Sequence, residues 1–392
     1  MPSLLLTLII LVSLLSGCSS ISYYSQAISG HFSFMAKRQP IQQLLDDNEV
    51  HGALKERLLL ALSIRDFASD ALKLPDNASY RSFVPLAGEA VVWSLVATDA
   101  FSVDPKQWCY PVIGCASYRG YFDPDDAQAH AAKLETEGLD VALEPVPAYS
   151  TLGWFDDPLP GTVVHWNDWQ LAGLIFHELA HQRLYIADDS AFNEAFANTV
   201  QQAGVAAWLD AMHNTGRSAA WRLSRQRESA FVHLLLKTRE RLKSLYQSPM
   251  GETEMAGRKR AAFDRLVSDY QSLQQGWQGY LGYDAWFERK LNNARLASVA
   301  TYEEWVPAFQ LLLERANGDF DTFYQACEKL AELPAGKRRL QMMQLRRVAN
   351  QQKLEDPSRQ IPLSQETGVY QSRLTDPPTS NLSAQFLVAA PR

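Results

Sequence analysis

The sequence predicts an α+β fold in which a small mixed sheet lies beside a mainly helical body. Residues 82–122 are rich in β-branched and aromatic side chains, which favour strands. From residue 167 onward, almost every segment places apolar residues at helical spacing. The chain has 392 residues, of which 46% are hydrophobic, so it is long enough to bury a large core.

The N-terminal residues have the composition of an export signal. Residues 4–15 form an apolar run that is shorter than the roughly 20 residues of a membrane-spanning helix. The segment around Cys18, "LSGC", resembles a bacterial lipobox, in which the cysteine is lipidated and becomes the mature N-terminus. No Lys or Arg precedes the run, so a plain signal peptide or an uncleaved anchor is the alternative. We predict a lipoprotein signal peptide over residues 1–17 and a tether over residues 18–40.

The N-terminal part of the fold, residues 41–166, combines helices and strands. Leucines at helical spacing predict a helix within residues 41–74. A second helix is predicted over residues 123–138, which begin with aspartates and end with a glycine. The extended segment that follows contains Pro145 and Pro147, which favour an edge strand over a central strand.

The cysteines indicate one disulfide. Cys109 and Cys115 lie close in sequence, with Pro111 and Gly114 able to turn the chain between them. In an oxidising compartment, this spacing favours a short disulfide loop over a zinc site, and two free thiols are the alternative. Cys327 lies on a helical pattern and is predicted to be a buried small residue.

The helical body is predicted to span residues 167–352 and to precede a disordered tail over residues 353–392, where the composition is polar and dotted with prolines. The predicted helices are 168–186, 190–214, 217–247, 252–273 and 302–331. A net charge of −7 without a long basic run argues against a nucleic-acid partner.

The strongest chemical signal is the His-Glu-x-x-His pattern at residues 177–181. His177 and His181 project from nearly the same helix face, so both can bind one metal ion, and Zn²⁺ commonly takes such nitrogen ligands. Glu178 lies about 100° further round the helix, where it can take a proton from a water that attacks a carbonyl. We therefore predict one Zn²⁺ ion with Glu178 as the catalytic base.

A third ligand is needed, and the sequence offers three acids. A third histidine at the metzincin spacing would require Gly at 184 and His at 187, but these positions are Leu184 and Ala187. We predict Glu194, because the next helix can fold back and carry its first turn to the metal. Asp188 and Asp189 are the alternatives, although aspartates in a turn more often act as caps.

Asn198 follows Glu194 by four residues and therefore shares its helix face. We predict that it orients a metal ligand through a hydrogen bond. An ordinary polar position on a helix explains it equally well.

The segments "HELAH" and "NEAFA" resemble the gluzincin group of zinc metallopeptidases. Together with "YYSQAISG", "YRGYF", "PAYSTLGWFDDPL" and "LNNARLASVATY", they resemble the bacterial family of predicted aminopeptidases, many of which are lipoproteins. The resemblance runs from about residue 20 to residue 330. It implies a zincin-like fold, a zinc ion and peptide substrates. The Gly-Ala-Met-Glu-Asn motif of better-known aminopeptidases is absent, so endopeptidase action stays open.

The resemblance also directs attention to a substrate-binding edge. Peptidases of this kind align the substrate as an added strand along a sheet edge. We predict that "EPVPAYSTLGWF" is this edge and that Tyr149, Thr151 and Gly153 face the substrate. Packing of the cleft by Tyr149 is the alternative.

The oxyanion donor is less defined. Tyr302 is the predicted catalytic donor, and Arg119 and Tyr121 are alternatives, because all three lie in segments that carry the resemblance. His165 and His233 are expected to be structural.

These predictions together describe a zinc-dependent peptidase, with aminopeptidase action preferred. It would act on peptides or proteins in the bacterial cell envelope, face the periplasm and be held by lipid, with Ser19 favouring the outer membrane. The alternatives are an envelope endopeptidase and a non-catalytic zinc-containing lipoprotein that serves as a scaffold or chaperone.

Overall fold

The computed structural model describes residues 22–110, 114–213 and 215–355. Cys18 and the predicted signal peptide lie outside these residues, as does most of the predicted tail. The described chain is mainly helical and contains three small sheets, which confirms the α+β class. None of its helices combines the length and the apolar composition that a membrane span requires.

The N-terminal part carries the strands. It begins with helix α1 over residues 22–36. The next elements are β1 (Gln39–Pro40), α2 (Ile41–Asp46), α3 (Gly52–Asp70), β2 (Ser82–Val84), β3 (Val92–Thr98), β4 (Trp108–Tyr110), β5 (Gly114–Ala116), β6 (Arg119–Tyr121), α4 (Pro124–Thr136), β7 (Asp140–Val146) and β8 (Leu159–Pro160).

The second part is helical. Its elements are α5 (Asp168–Arg183), α6 (Ser190–Ala211), α7 (Thr215–Tyr246), α8 (Glu252–Gly276), α9 (Asp284–Glu288), α10 (Asn293–Glu303), α11 (Val306–Arg315), α12 (Phe320–Ala331) and α13 (Ala335–Glu355). The segment 302–331, predicted as one helix, is divided between the end of α10, α11 and α12. The break between α11 and α12 includes Asn317 and Gly318, which both have positive φ.

The predicted single mixed sheet is wrong in detail, because the strands form three separate sheets. Strands β1, β2 and β8 form a mixed sheet in which β2 pairs antiparallel with β1 and parallel with β8. Strands β6, β3 and β7 form an antiparallel sheet. Since β7 pairs only with β3 in the described sheet, the predicted edge position of the segment around Pro145 is confirmed. Strands β4 and β5 form a hairpin, and a disulfide joins Cys109 to Cys115 across it.

Helix α1 differs from the tether that the sequence predicts over residues 18–40. Its residues Phe34 and Met35 are buried against Val92 and Val146 of the antiparallel sheet. The segment of α1 is short and rich in aromatic residues, so its sequence alone does not show that it is buried. Its burial depends on the sheet against which it packs.

Helix α10 attaches the helical body to the antiparallel sheet. Its capping residue Asn292 donates a hydrogen bond to the Val141 carbonyl at 2.7 Å. Arg295 forms a buried ion pair with Glu144 at 2.9 Å. These contacts come from "LNNARLASVATY", so this segment has a structural role in joining the two parts.

Helix α5 lies in the largest hydrophobic cluster and is buried on all sides from Leu171 to His181. It packs against α3 and α6, and its cluster includes Ile64 of α3, Val200 of α6 and Phe309 of α11. A helix enclosed in this way holds its polar side chains in fixed positions, which matters for the histidines that it carries.

Candidate metal centre

Two histidine side chains of α5 meet one carboxylate of α6. The Nε2 atoms of His177 and His181 lie 3.1 Å apart. Glu194 Oε2 lies 3.3 Å from the first of these nitrogens and 3.6 Å from the second. All three residues are buried. They form a group that could hold a metal ion, because one ligand atom from each side chain lies within 4.8 Å of the other two.

The turn between α5 and α6 brings Glu194 back beside the histidines. Within this turn, the amide of Asn193 accepts from the Ile186 backbone nitrogen and donates to its carbonyl, both at 2.8 Å. Asp189 caps α6 by accepting from the Phe192 backbone nitrogen at 3.3 Å. These bonds satisfy backbone groups of the turn and set the angle at which α6 starts.

The two alternative aspartates have other partners. Asp188 Oδ1 accepts from the Cys115 backbone nitrogen at 2.7 Å. Asp189, besides its capping bond, forms an ion pair with Arg338 at 2.8 Å. Among the described residues, the group that could bind a metal contains Glu194 and neither aspartate.

The protonation states favoured at this centre suit a metal ion. Burial lowers the pKa of His181, which keeps its ring neutral. Burial acts to raise the pKa of Glu194, but the neighbouring histidines lower it more, so the net pKa is below its ordinary value. Metal ligands must be deprotonated, and a neutral imidazole with an ionised carboxylate is the required combination.

Gln201 is a functional candidate that sequence reasoning missed. Its Oε1 lies 3.0 Å from His177 Nδ1, so the ring donates there and directs the Nε2 lone pair toward the centre. Gln201 lies seven residues after Glu194, which places both on one face of α6 and could have identified it. Gly173 on α5 leaves room for the Gln201 side chain, because a Cβ at position 173 would lie only 3.2 Å from the Gln201 amide nitrogen.

Asn198 is also buried on α6. Its predicted role in orienting a metal ligand stays a prediction.

Glu178 is almost completely buried, and its Oε2 has no hydrogen-bond partner within the described structure. Burial raises its pKa well above the ordinary value, and the charges of Glu194 and Asp157 raise it further. A hydrogen bond with Ser150 has the opposite and smaller effect. A raised pKa moves a carboxyl group from its acidic range toward neutral pH, where a general base can both accept and return a proton.

The loop after β7 reaches this base through Ser150. The Ser150 hydroxyl, which interacts with Glu178, also donates to Asp157 Oδ2 at 3.2 Å. Asp157 is completely buried and accepts further bonds from the Thr151 backbone nitrogen at 3.0 Å and the Thr151 hydroxyl at 2.7 Å. Ser150 and Asp157 were not predicted, because these contacts depend on how the loop folds over α5.

The predicted substrate contacts of Tyr149 and Thr151 are corrected by the structure, whereas Gly153 is exposed and its contact stays a prediction. Tyr149 is 2% exposed and packs between Phe34 and Phe122. Thr151 is equally buried and bonds Asp157, so neither side chain is available to a peptide. Gly153 adopts a φ of +81°, and a Cβ there would lie 3.1 Å from Gln182 of α5. The loop therefore packs against the metal-binding helix.

The family comparison covers both the sheets and this centre. A family model described as "Putative aminopeptidase" matches residues 22–343. The chain belongs to this family. The match includes the histidines, both glutamates and Gln201, and at a coarse level it supports peptidase activity. No curated protein and no solved structure matches the chain.

This member of the aminopeptidase family has a cleft beside His177. It lies between α5, α6 and α7 and has a cavity volume of about 50 Å³, which is room for a few water molecules. Trp166, Trp169 and Trp221 line it together with Gln201. Tyr149, Thr151 and Gly153 do not line this cleft.

The three residues predicted as oxyanion donors lie in different parts of this family member. Arg119 stacks over the Tyr23 ring at 3.8 Å, and Tyr121 bonds His130, so both stabilise the packing around the sheet. Tyr302 belongs to α10, but its side chain lies outside the described structure. His165 and His233 are exposed.

The structure adds Tyr80 as a donor candidate. The residue is buried, and its hydroxyl has no hydrogen-bond partner among the described residues. Burial raises its pKa well above the ordinary value, and the nearby charges of Glu178 and Asp157 add to this effect. Its φ of +62° is unusual for a bulky residue, and such backbone strain is often found at functional sites.

Replacing Gln201 with alanine is expected to reduce metal affinity about 10- to 100-fold, because the His177 ring loses the partner that fixes its orientation. The measurement is competition for metal against a chelator of known affinity. Gln202→Ala is the matched control, since Gln202 also lines the cleft but bonds Gln310. Equal affinities for both variants would contradict the role assigned to Gln201.

The buried Asp157 is expected to make stability depend on pH. Burial raises its pKa to about 6, against about 3.9 for an unfolded chain, so the native state binds this proton more tightly. The corresponding stabilisation is present at low pH and is lost as the pH rises through about 6. At about 1.4 kcal/mol per pKa unit, the loss is about 3 kcal/mol.

The measurement is urea unfolding at about pH 4 and about pH 7, over which the contribution of Asp157 changes. Asp157→Asn should remove this part of the pH dependence, whereas Asp156→Asn, at an exposed neighbouring position, should retain it. An unchanged pH dependence in Asp157→Asn would show that the carboxyl does not retain its proton in the native state.

Proposed function

We propose that the protein is a zinc-dependent aminopeptidase of the bacterial cell envelope. The observation that carries this proposal is the buried group of His177, His181 and Glu194, together with the buried Glu178 carboxylate, which is close enough for the charge of Glu194 to raise its pKa. The family match supports peptidase action at the coarser level.

The donor set fits Zn²⁺. Two imidazole nitrogens and one carboxylate oxygen are the ligands of many catalytic zinc sites, which leave one position for water or substrate. When bound, Zn²⁺ would polarise the scissile carbonyl and make the attacking water more acidic. His177, His181 and Glu194 would hold the ion, and Gln201 would keep the His177 ring in the required tautomer.

Glu178 moves the proton in this proposal. Its Oε2 has no hydrogen-bond partner among the described residues, so this oxygen is available to accept the proton of the attacking water. The raised pKa of Glu178 favours retention of that proton until it passes to the leaving amine. Ser150, supported by Asp157, holds the carboxyl group in place.

The test is hydrolysis of peptides with free and with acetylated N-termini by the metal-loaded full chain. Release of the first residue from free peptides alone is expected, because an aminopeptidase requires the free amine. Cleavage of both kinds of peptide at internal bonds would instead establish an endopeptidase. Bound metal without turnover of any peptide would favour the scaffold or chaperone.

The envelope location is supported by the sequence around Cys18 and by the disulfide between Cys109 and Cys115. Structural disulfides are rare in reducing compartments and common in secreted proteins. Lipid on Cys18 would hold the chain at a membrane surface, facing the periplasm, and Ser19 favours the outer membrane. Mass spectrometry of the mature N-terminus tests the lipid directly.

A further inference from the structure

Four large apolar side chains are exposed on one side of the N-terminal part. Ile28 and Phe32 of α1 are 50% and 61% exposed. Trp154 and Phe155, in the loop after β7, are 58% and 46% exposed. We call these four residues the apolar face. Exposed apolar residues that cluster in this way mark an interaction surface, whereas isolated ones are ordinary.

The two segments of the apolar face are in contact. Ile28 and Phe32 are four residues apart, so they share one side of α1. His31 packs its ring 4.8 Å from that of Phe155 and 5.3 Å from that of Phe32. At the end of α1, Arg38 donates to the Asp156 carbonyl at 3.4 Å. These contacts hold the loop beside the helix and place Phe155 close to Phe32, with the His31 ring between them.

Two cations and one acid lie at the edge of the apolar face, and the exposed acid is Asp156, directly after Phe155. Lys37 and Arg38 follow α1 directly and are exposed. Aromatic and aliphatic side chains beside cations are typical of surfaces that lie in the headgroup region of a bilayer, where Trp is favoured and Lys and Arg meet anionic lipids.

The position of α1 in the chain argues for the same occupant. The predicted lipidation site Cys18 precedes residue 22 by four peptide steps, each of at most about 3.5 Å. Lipid on Cys18 would therefore place the start of α1 within about 14 Å of the membrane. A helix held this close to lipid can bring exposed apolar residues into contact with it.

We propose that the apolar face is a membrane-docking surface that enters the headgroup region of an anionic bilayer. Part of the argument rests on the proposed lipidation, while the exposed side chains and flanking cations are independent of it. The loop that carries Trp154 and Phe155 also carries Ser150 and Asp157, which hold Glu178. Docking therefore sets the peptidase centre close to the bilayer, where peptides at the membrane surface are the accessible substrates.

The experiment uses the full chain reconstituted into vesicles of phosphatidylethanolamine and phosphatidylglycerol. Phe32→Cys is labelled with an environment-sensitive fluorophore, and Leu340→Cys, at a 62% exposed position on α13, is the matched control. Labelling is selective, because Cys109 and Cys115 form a disulfide, Cys327 is fully buried, and the proposed lipid occupies the thiol of Cys18. Lipids that carry a quencher in the acyl chain should quench the label at position 32 and leave the label at position 340 unchanged.

A second variant tests the surface itself. Adding Trp154→Ser and Lys37→Glu to the labelled protein should reduce the quenching at position 32 at least about twofold, because contact area and attraction to anionic lipid are both lost. Equal quenching at positions 32 and 340 would overturn the proposal. The proposal would also be overturned if the label at position 32 were shielded from water but not quenched by lipid, and if its emission depended on protein concentration. That result would indicate that a second copy of the chain covers the apolar face.

This measurement does not use catalysis, so it separates docking from the proposed activity. An inactive protein with quenching at position 32 would disprove the peptidase and retain the docking surface. An active protein without quenching at position 32 would disprove the docking surface and retain the peptidase.

Discussion

Glu178→Gln is expected to lower peptide hydrolysis by about 10²- to 10⁴-fold while leaving metal content unchanged. Glutamine has nearly the same shape as glutamate but cannot take a proton from water at neutral pH. The histidines and Glu194 are untouched, so the metal group keeps its three ligand atoms. The measurements are kcat on a free-amine peptide and metal content by elemental analysis of the same sample.

The matched control is Glu137→Gln, which neutralises an exposed glutamate at the end of α4. It should retain the full rate. If Glu178→Gln hydrolysed peptides as fast as the unaltered chain, Glu178 would not be the base. If Glu178→Gln instead lost both its activity and its metal, the result would show that Glu178 supports the fold of the centre. The free energy of unfolding of the variant would then be reduced.

His177→Ala is expected to remove both the bound metal and the activity. The variant loses one of three ligand atoms, and its remaining pair cannot complete a tetrahedral zinc site. Metal content should fall from one ion per chain to near zero after dialysis against a weak chelator. Metal binding also stabilises the folded state, by about 4 kcal/mol when free metal is about 1,000 times the Kd, so added Zn²⁺ should raise the Tm of the unaltered chain only.

His165→Ala is the control for this result, since His165 is an exposed histidine close to α5. It should bind metal and respond to Zn²⁺ as the unaltered chain does. Equal metal content in His177→Ala and His165→Ala would exclude the proposed centre. Loss of metal in both would show that the effect of His177→Ala is not specific to a ligand.

The sequence was most informative where the relevant geometry is local. Residues at i and i+4 of a helix face the same way whatever the rest of the chain does, so His177 and His181 could be paired before the fold was known. The same regularity places Gln201 on the helix face of Glu194, so its position near His177 could have been inferred from the sequence. The pairing of Cys109 with Cys115 also spans few residues, and the structure joins them.

Contacts between distant segments were beyond the reach of these patterns. Ser150 and Asp157 are brought to Glu178 by the folding of a loop over α5, and no periodicity connects them. For the same reason, Tyr149 and Thr151 were predicted to meet a substrate when they are in fact buried. Helix α1 was predicted as a tether because its burial depends on the strands that it covers.

The sequence by itself therefore determined the α+β class, the two histidines with the acid between them, and a small set of carboxylates for the third position. The tertiary structure decided among those carboxylates: Asp188 and Asp189 are held by Cys115 and Arg338, and Glu194 is carried back to the histidines. The physical reason is that helix geometry follows from neighbouring residues, whereas the approach of two helices depends on the turn between them and on the core that encloses both.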